Sequence, residues 1–297
     1  MVYFNKCPLC NSKEIIAHLR CRDHFFSNEE FEIFRCVLCG FIFTQDHPDE
    51  ISAGRYYESD EYVSHNDTSA GFSNMLYKLS RKIMLVKKRK LILKLTGIKT
   101  GKLLDIGSGS GHFLHEMKNA GWDITGIEIN EKVRTISEKK FNLTVISPAN
   151  MHPVETGSFD CITLWHVLEH FHDPFSYARE IYRLLKPGGI CIAAMPNSDS
   201  FDAHYYLSSW AAYDVPRHLW HFNPDTFEKF CHKAGLHLMR MASLPLDVFY
   251  ISILSEKYRG NKFYFFTGMI KGAWFSIRSL FSKNKASSLI YILKKQS

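Results

Sequence analysis

No run of about 18 uncharged apolar residues occurs in the chain, so no segment reads as a membrane span. The opening residues, Met1-Val-Tyr-Phe-Asn-Lys, lack the apolar stretch of a secretory signal. These two absences predict a cytoplasmic protein. Internal repeats and low-complexity tracts are also absent. What remains is an ordinary soluble composition, 45% hydrophobic and 23% charged over 297 residues, long enough to bury a large core.

Acidic residues are missing from two long segments. Lys78 to Lys102 holds ten Lys and Arg and no acid, and Lys257 to Ser297 holds nine and no acid. Setting these aside leaves 18 of the 37 basic residues against all 30 acids, so the net charge of +7 is concentrated in two places. Such segments suit a polyanion, whether nucleic acid, a diphosphate-bearing substrate or an anionic membrane surface; solvated helix faces are the plain alternative. Cysteine is plentiful, at eight, but its distribution argues against a disulfide framework. Four cysteines form two C-x-x-C pairs, while Cys21, Cys161, Cys191 and Cys231 are scattered. In a reducing compartment that pattern favours metal binding.

Along the chain, residues 1–46 read as short strands and turns around the cysteine pairs. Residues 47–95 read as a linker and a basic helix. The polar linker stretch at 47–74, with Tyr56, Tyr57 and Tyr62, is expected to cover the active site. From Met75 to Leu95 the spacing is helical, with Leu76, Leu79, Ile83 and Val86 on one face and Thr96-Gly97 as the stop. From Lys102 onward, strand and helix alternate, with strands near residues 103–106, 124–128, 143–146, 161–164, 190–194, 236–242 and 288–293. Repeated β-α units predict an α/β fold with a sheet covered on both faces. An aromatic insert at about 246–285 interrupts the last two strands. Phe263, Phe266, Ile270, Trp274, Ile277 and Phe281 recur at steps of three or four, with Lys271 and Arg278 off the stripe. The ordinary reading is a core-packing helix; the sharper one is an interfacial or acyl-substrate-binding helix.

The strongest chemical signal is the turn after the first of these strands. Leu103-Leu-Asp-Ile runs into Gly107, Gly109 and Gly111, and then into a helix. Glycines let the backbone turn sharply and approach a ligand, and the helix start adds free N–H donors. Glu128 ends the next strand, 23 residues after Asp105. A carboxylate there can accept both hydroxyls of a ribose. Asp105, just before the turn, can order the loop and face a cationic amino acid end of a cofactor. The turn lacks the G-x-G-x-x-G spacing of dinucleotide-binding dehydrogenases.

The segments LLDIGSGSGHFL, GIEIN, FDCITLWHVLEHFHDP and LLKPGG resemble the successive motifs of class I S-adenosylmethionine-dependent methyltransferases. They stand in the family's order over residues 102–195. The resemblance implies a Rossmann-like seven-stranded methyltransferase sheet within 96–297, with the last strand inserted between strands five and six. It implies cofactor contacts by Asp105, Gly107, Gly109, Gly111 and Glu128, with Trp165 and His166 beside the sulfonium end. Many members carry an acid after strand three for the adenine amino group. This chain has Ser147-Pro-Ala-Asn150 there, which makes Asn150 or a backbone group the substitute.

Cys7-Pro-Leu-Cys10 and Cys36-Val-Leu-Cys39 supply four soft thiolates, the donor set of tetrahedral zinc. Gly40 permits the tight turn after the second knuckle. The segment resembles the zinc ribbon found ahead of many bacterial methyltransferase domains. Four protein ligands leave no open coordination position, which predicts a structural zinc.

Two histidine-bearing stretches are the catalytic candidates. His166-Val-Leu-Glu169-His170 resembles the post-strand-four motif of quinone-biosynthesis O-methyltransferases, some of which bind a divalent metal through Glu-x-x-Glu-His. His166 replaces the first acid, which disfavours Mg²⁺. Glu169 and His170 read either as loop-ordering groups or as a base or metal site. In Tyr213-Asp-Val-Pro-Arg217-His218-Leu-Trp-His221-Phe-Asn223-Pro, Arg217 is a partner for an anionic substrate group and His218 a base. The alternative is a packing turn that docks the next helix with Asn223 as its cap.

The reading that follows is methyl transfer to a small-molecule acceptor: a sugar, lipid or secondary-metabolite precursor. Methylation of RNA or protein, gripped by the zinc ribbon and basic segments, is the main alternative. Against it, Leu-Trp-His-Val stands where base-methylating enzymes carry an Asn-Pro-Pro-Tyr-type tetrad. A non-catalytic cofactor-binding or zinc-mediated interaction protein is the third reading. Peripheral membrane contact through the aromatic insert is a further expectation.

Overall fold

The computed structural model describes residues 1–57 and 72–295, with side chains except those of 72–80. Tyr62, and the facing of Leu76 and Leu79, lie outside the described residues. In chain order, β1 (Ile15–Arg22), β2 (Glu30–Cys36) and β3 (Ile42–Thr44) precede the short α1 (Glu50–Ala53). Then come α2 (Phe72–Thr96), β4 (Lys102–Ile106), α3 (His112–Asn119), β5 (Asp123–Ile127), α4 (Glu131–Phe141), β6 (Val145–Ile146) and β7 (Phe159–Trp165). These lead into α5 (Pro174–Leu184), β8 (Leu185–Pro196), α6 (Phe201–Tyr206), β9 (Trp220–His221), α7 (Pro224–Lys233) and β10 (His237–Ser243). The chain closes with α8 (Asp247–Tyr258), α9 (Tyr264–Phe281) and β11 (Ser288–Lys294).

Seven strands hydrogen-bond in the order β10-β11-β8-β7-β4-β5-β6, which puts the last strand between the two before it, as expected. β4 pairs in parallel with both β5 and β7, with Leu103 opposite Ile124 and Cys161. Leu103, Leu104, Ile162 and Leu164 are all buried. Near-continuous apolar runs of this kind are what a sheet covered on both faces requires. The helix boundaries follow local chemistry. Gly97, at φ +70°, stops α2 in a left-handed turn that an L side chain resists. Asn223 caps α7, its Oδ1 accepting from the Thr226 N–H at 2.9 Å while the Thr226 hydroxyl accepts from the Asn223 N–H.

The chain divides into two compact units that alternate in sequence. One comprises Met1–Glu58, His166–Phe175 and Ala194–Tyr291; the other comprises Ser59–Trp165, Ser176–Ala193 and Ile292–Ser297. The first unit is drawn together by a strand pairing that no local pattern announces. β9 pairs antiparallel with β3, placing Trp220 opposite Phe43 and His221 opposite Ile42. This makes a four-stranded sheet, β1-β2-β3-β9, from segments far apart in the sequence. Its core includes Phe31, Ile33, Tyr56, Trp210, Tyr213 and Phe275.

The aromatic insert forms a helical hairpin within that first unit. Gly268 and Gly272 let α9 approach α8 closely: a Cβ on Gly268 would fall 2.5 Å from the Ile253 Cα. Phe275 is buried beside them, a contribution of about 2–3 kcal/mol. The core-packing reading of the predicted stripe is overturned. Phe263 is 71% exposed, Ile270 69% and Phe281 87%, while Gly268, Gly272 and Phe275 make the packed side. Periodicity identified a face, but the glycine side won the contact because only it lets two backbones meet.

Candidate functional site

In the first unit the four paired cysteines converge. Their Sγ atoms all lie within 4.8 Å of one another, with Cys7 to Cys39 and Cys10 to Cys36 at 3.6 Å each. A zinc–sulfur bond of about 2.3 Å gives tetrahedral edges of about 3.8 Å, so the spacing fits one tetrahedral ion. No disulfide forms among them. Burial raises the thiols of Cys7 and Cys39, Cys39 to about 11, so holding them as thiolates requires a cation. Gly40, at φ +79°, closes the second knuckle. Lys229 and Lys233 of α7 donate to the carbonyls of Cys39 and Leu9, fastening both knuckles to the same helix.

In the second unit the glycine turn follows β4. Gly107, Gly109 and Gly111 all have positive φ, and nothing stands within 4 Å of a Cβ on Gly109. Gly109 N–H donates to Glu128 Oε2 at 3.0 Å, and Asn130 N–H donates to Oε1 at 2.9 Å. Glu128 is thus fixed against the turn, with one lone pair on each oxygen left for a diol. Gly111 has a different reason to be glycine. A Cβ there would sit 2.5 Å from Leu143 Cδ1, so it packs α3 closely. Asn150 ends a short 3-10 turn at Pro148–Asn150 and is exposed.

Asp105 is 2% exposed and accepts from the Thr163 hydroxyl at 2.6 Å. Burial pushes its carboxyl up to about 7, opposed by that hydrogen bond and by the Lys88 charge. Trp165 ends β7 beneath the Lys88 ammonium, 4.1 Å from its ring centroid. Buried and unpartnered among the described residues are Ser108 Oγ and Trp165 Nε1. Open turn, carboxylate pair and unpartnered polar atoms fit an adenosyl cofactor with a cationic amino acid end.

One peptide bond beyond Trp165 the chain enters the first unit, where a second set of groups meets. His166, at φ +58°, places Nε2 2.9 Å from Asp247 Oδ2 and Nδ1 3.5 Å from Glu169 Oε1. Burial opposes its charge, but Asp247 and Glu169 raise it to about 10, so it is a fixed cation. Glu169 is 1% exposed, and neither oxygen has a hydrogen-bond partner among the described residues. Burial would raise it; His166, His218 and His170 hold it low instead.

Glu169, His170 and His218 bring one ligand atom each within 4.8 Å of one another. His170 and His218 meet edge to face at 4.6 Å. Burial and His218 push His170 down to about 4, and its Nδ1 lies 3.1 Å from the Tyr57 hydroxyl. His218 Nδ1 lies 2.8 Å from the Ala212 carbonyl. A carbonyl only accepts, so Nδ1 carries a proton, and in the neutral imidazole the lone pair is on Nε2. Two imidazoles and a carboxylate so placed can accept a proton or hold a divalent cation.

Arg217 does not meet a substrate anion. It is 3% exposed and fully engaged: bidentate to Asp214 at 2.6 and 3.0 Å, to Asp23 at 2.9 Å and to the Tyr56 carbonyl at 3.3 Å. His221 is likewise buried, with Nε2 3.0 Å from the Thr44 hydroxyl. Within this stretch, Arg217, Trp220 and His221 weld the cysteine segment to the rest of the unit, and the His218 side chain joins Glu169 and His170. Asp247, Thr163 and Lys88 were not identified from the sequence, and Tyr57 was read as part of the linker expected to cover the active site. Thr163, a lone hydroxyl in a buried apolar strand, carried the only readable signal.

Residues 75–240, more than half of the chain, match the family described as Methyltransferase domain. The chain belongs to this methyltransferase family. S-adenosylmethionine is the cofactor of the family. The methyltransferase is 33% identical over 110 residues to the ubiquinone biosynthesis O-methyltransferase of Psychrobacter cryohalolentis, a match covering 34% of this chain and 43% of that protein. It is 29% identical over 171 residues to the protein of the same name from Aromatoleum aromaticum, covering 52% of this chain and 73% of that one. The chain thus spans less than half the length of the first of these relatives. Among solved structures, one described as a sarcosine dimethylglycine methyltransferase from Galdieria sulphuraria aligns with a TM-score of 0.50 at 20% identity, covering 73% of this chain and 86% of that one. At that identity the likeness is one of fold.

Proposed function

We propose that the protein transfers the methyl group of S-adenosylmethionine to an oxygen of a small-molecule acceptor, and that its four-cysteine site holds a structural zinc. The oxygen acceptor is supported by the similarity to relatives named O-methyltransferases. The observation that carries the chemistry is Glu169, a buried carboxylate with no close hydrogen-bond partner among the described residues, set against two imidazoles.

Methyl transfer to a hydroxyl forms a C–O bond, breaks the C–S⁺ bond and releases one proton. S-adenosylmethionine supplies the electrophilic methyl when bound. Asp105 and Glu128 orient it through its ammonium and its ribose, and the glycine turn excludes side chains from the approach. The acceptor proton passes to His218 Nε2, since Nδ1 is committed to Ala212. Glu169 balances the imidazolium so formed. His166, already a cation, is a charge anchor for Glu169 rather than the base.

The test is release of S-adenosylhomocysteine with pooled small metabolites and pooled RNA as separate acceptors. Turnover with the metabolite pool, reduced by His218→Ala, is expected. Turnover with RNA alone would overturn the proposal and favour the basic segments as a recognition surface.

A further inference from the structure

We propose that the exposed face of α9 docks the protein onto an anionic lipid surface. The helix has two opposed sides. One side carries Gly268, Gly272 and Phe275 and is buried against α8. The other carries Phe263, Phe266, Ile270, Ile277 and Phe281, all more than half exposed. Over 18 residues this apolar ridge runs about 27 Å, far longer than a scatter of surface side chains. The fold does not need it there, because the hairpin is already closed by the glycine side.

Charge selects the occupant. Lys262 and Lys283 are exposed just beyond the two ends of the helix, and no acid occurs from Lys257 to Ser297. Lys271 and Arg278 lie along one flank over the Trp274 ring, with centroid distances of 5.6 and 5.0 Å. A second copy of this face would set cation against cation. A bilayer with anionic headgroups accepts the apolar ridge and complements the basic rim together. The helix lies on such a surface rather than through it, because no described helix is long and apolar enough to cross a membrane.

The test uses the full chain in vesicle flotation. Phosphatidylcholine vesicles containing phosphatidylglycerol are compared with pure phosphatidylcholine over a salt series. The protein is expected to float with the mixed vesicles and remain behind with the pure ones. Binding should weaken as salt screens the rim. The double variant Phe266→Asp with Ile277→Asp should bind at least about tenfold more weakly, at unchanged melting temperature. Lys262→Glu with Lys283→Glu is the second variant, expected to weaken binding without touching the apolar ridge. No flotation, equal binding to both vesicles, or indifference to both variants would overturn the proposal. So would a concentration-dependent dimer in sedimentation that Phe266→Asp with Ile277→Asp abolishes.

Discussion

Asp105 and Glu169 are carboxylates buried to nearly the same degree, one in each unit, and their surroundings drive them apart. Asp105 has one hydroxyl donor, and burial lifts it to about 7. Glu169 has no close hydrogen-bond donor among the described residues, with His166 Nδ1 3.5 Å away, yet three histidines hold it below its ordinary value. Burial alone would raise both. The balance differs: in the second unit burial outweighs the Thr163 hydrogen bond and the Lys88 charge, and in the first three histidines outweigh burial. An incoming ammonium would complete the Asp105 site. The Glu169 site can absorb a proton delivered to His218.

The harshest way to break this contrast is to remove the brace under the histidine unit. Cys36→Ser, or a chelator, should cost several kcal/mol, seen as a large fall in melting temperature and in turnover. Metal analysis of the untreated protein should find one zinc per chain. Next in size, Glu169→Gln should lower turnover by about a hundredfold while leaving the cofactor dissociation constant unchanged by calorimetry. Asp105→Asn should do the reverse, weakening cofactor binding by about tenfold with turnover largely kept at saturating cofactor.

The pH dependence sharpens the same pair. Asp105 is protonated and neutral below about 7 and charged above it. A cationic ligand prefers the charged form, so cofactor affinity should rise as pH passes upward through about 7 and then level off. The Asn variant should show no such rise. The smallest effect belongs to the cap of α7: Asn223→Ala should cost about 1 kcal/mol by denaturant titration, because the bond from the Thr226 N–H to the Asn223 Oδ1 is lost.

The parts of the molecule built from consecutive residues were legible in the sequence. The glycine turn, Glu128 and both cysteine knuckles depend on short spacings that geometry constrains tightly, and the strand order followed from the family resemblance that such motifs carry. What escaped depends on distant segments meeting. Nothing local says that Trp220 and His221 complete a sheet with residues 42–43, or that Asp247 reaches His166. Arg217 shows the same limit from the other side. A guanidinium beside a histidine suggested substrate binding, and only the fold reveals that two acids already occupy it. The α9 stripe was found correctly as a face, but periodicity does not state whether a face looks inward.

The most direct test of the central claim follows an isotope-labelled methyl group from S-adenosylmethionine into pooled cell metabolites and reads the product by carbon NMR. A methoxy carbon in the small-molecule fraction, lost with Glu169→Gln, is the predicted result. Label found only in RNA or protein, or only as N-methyl or C-methyl carbon, would contradict it.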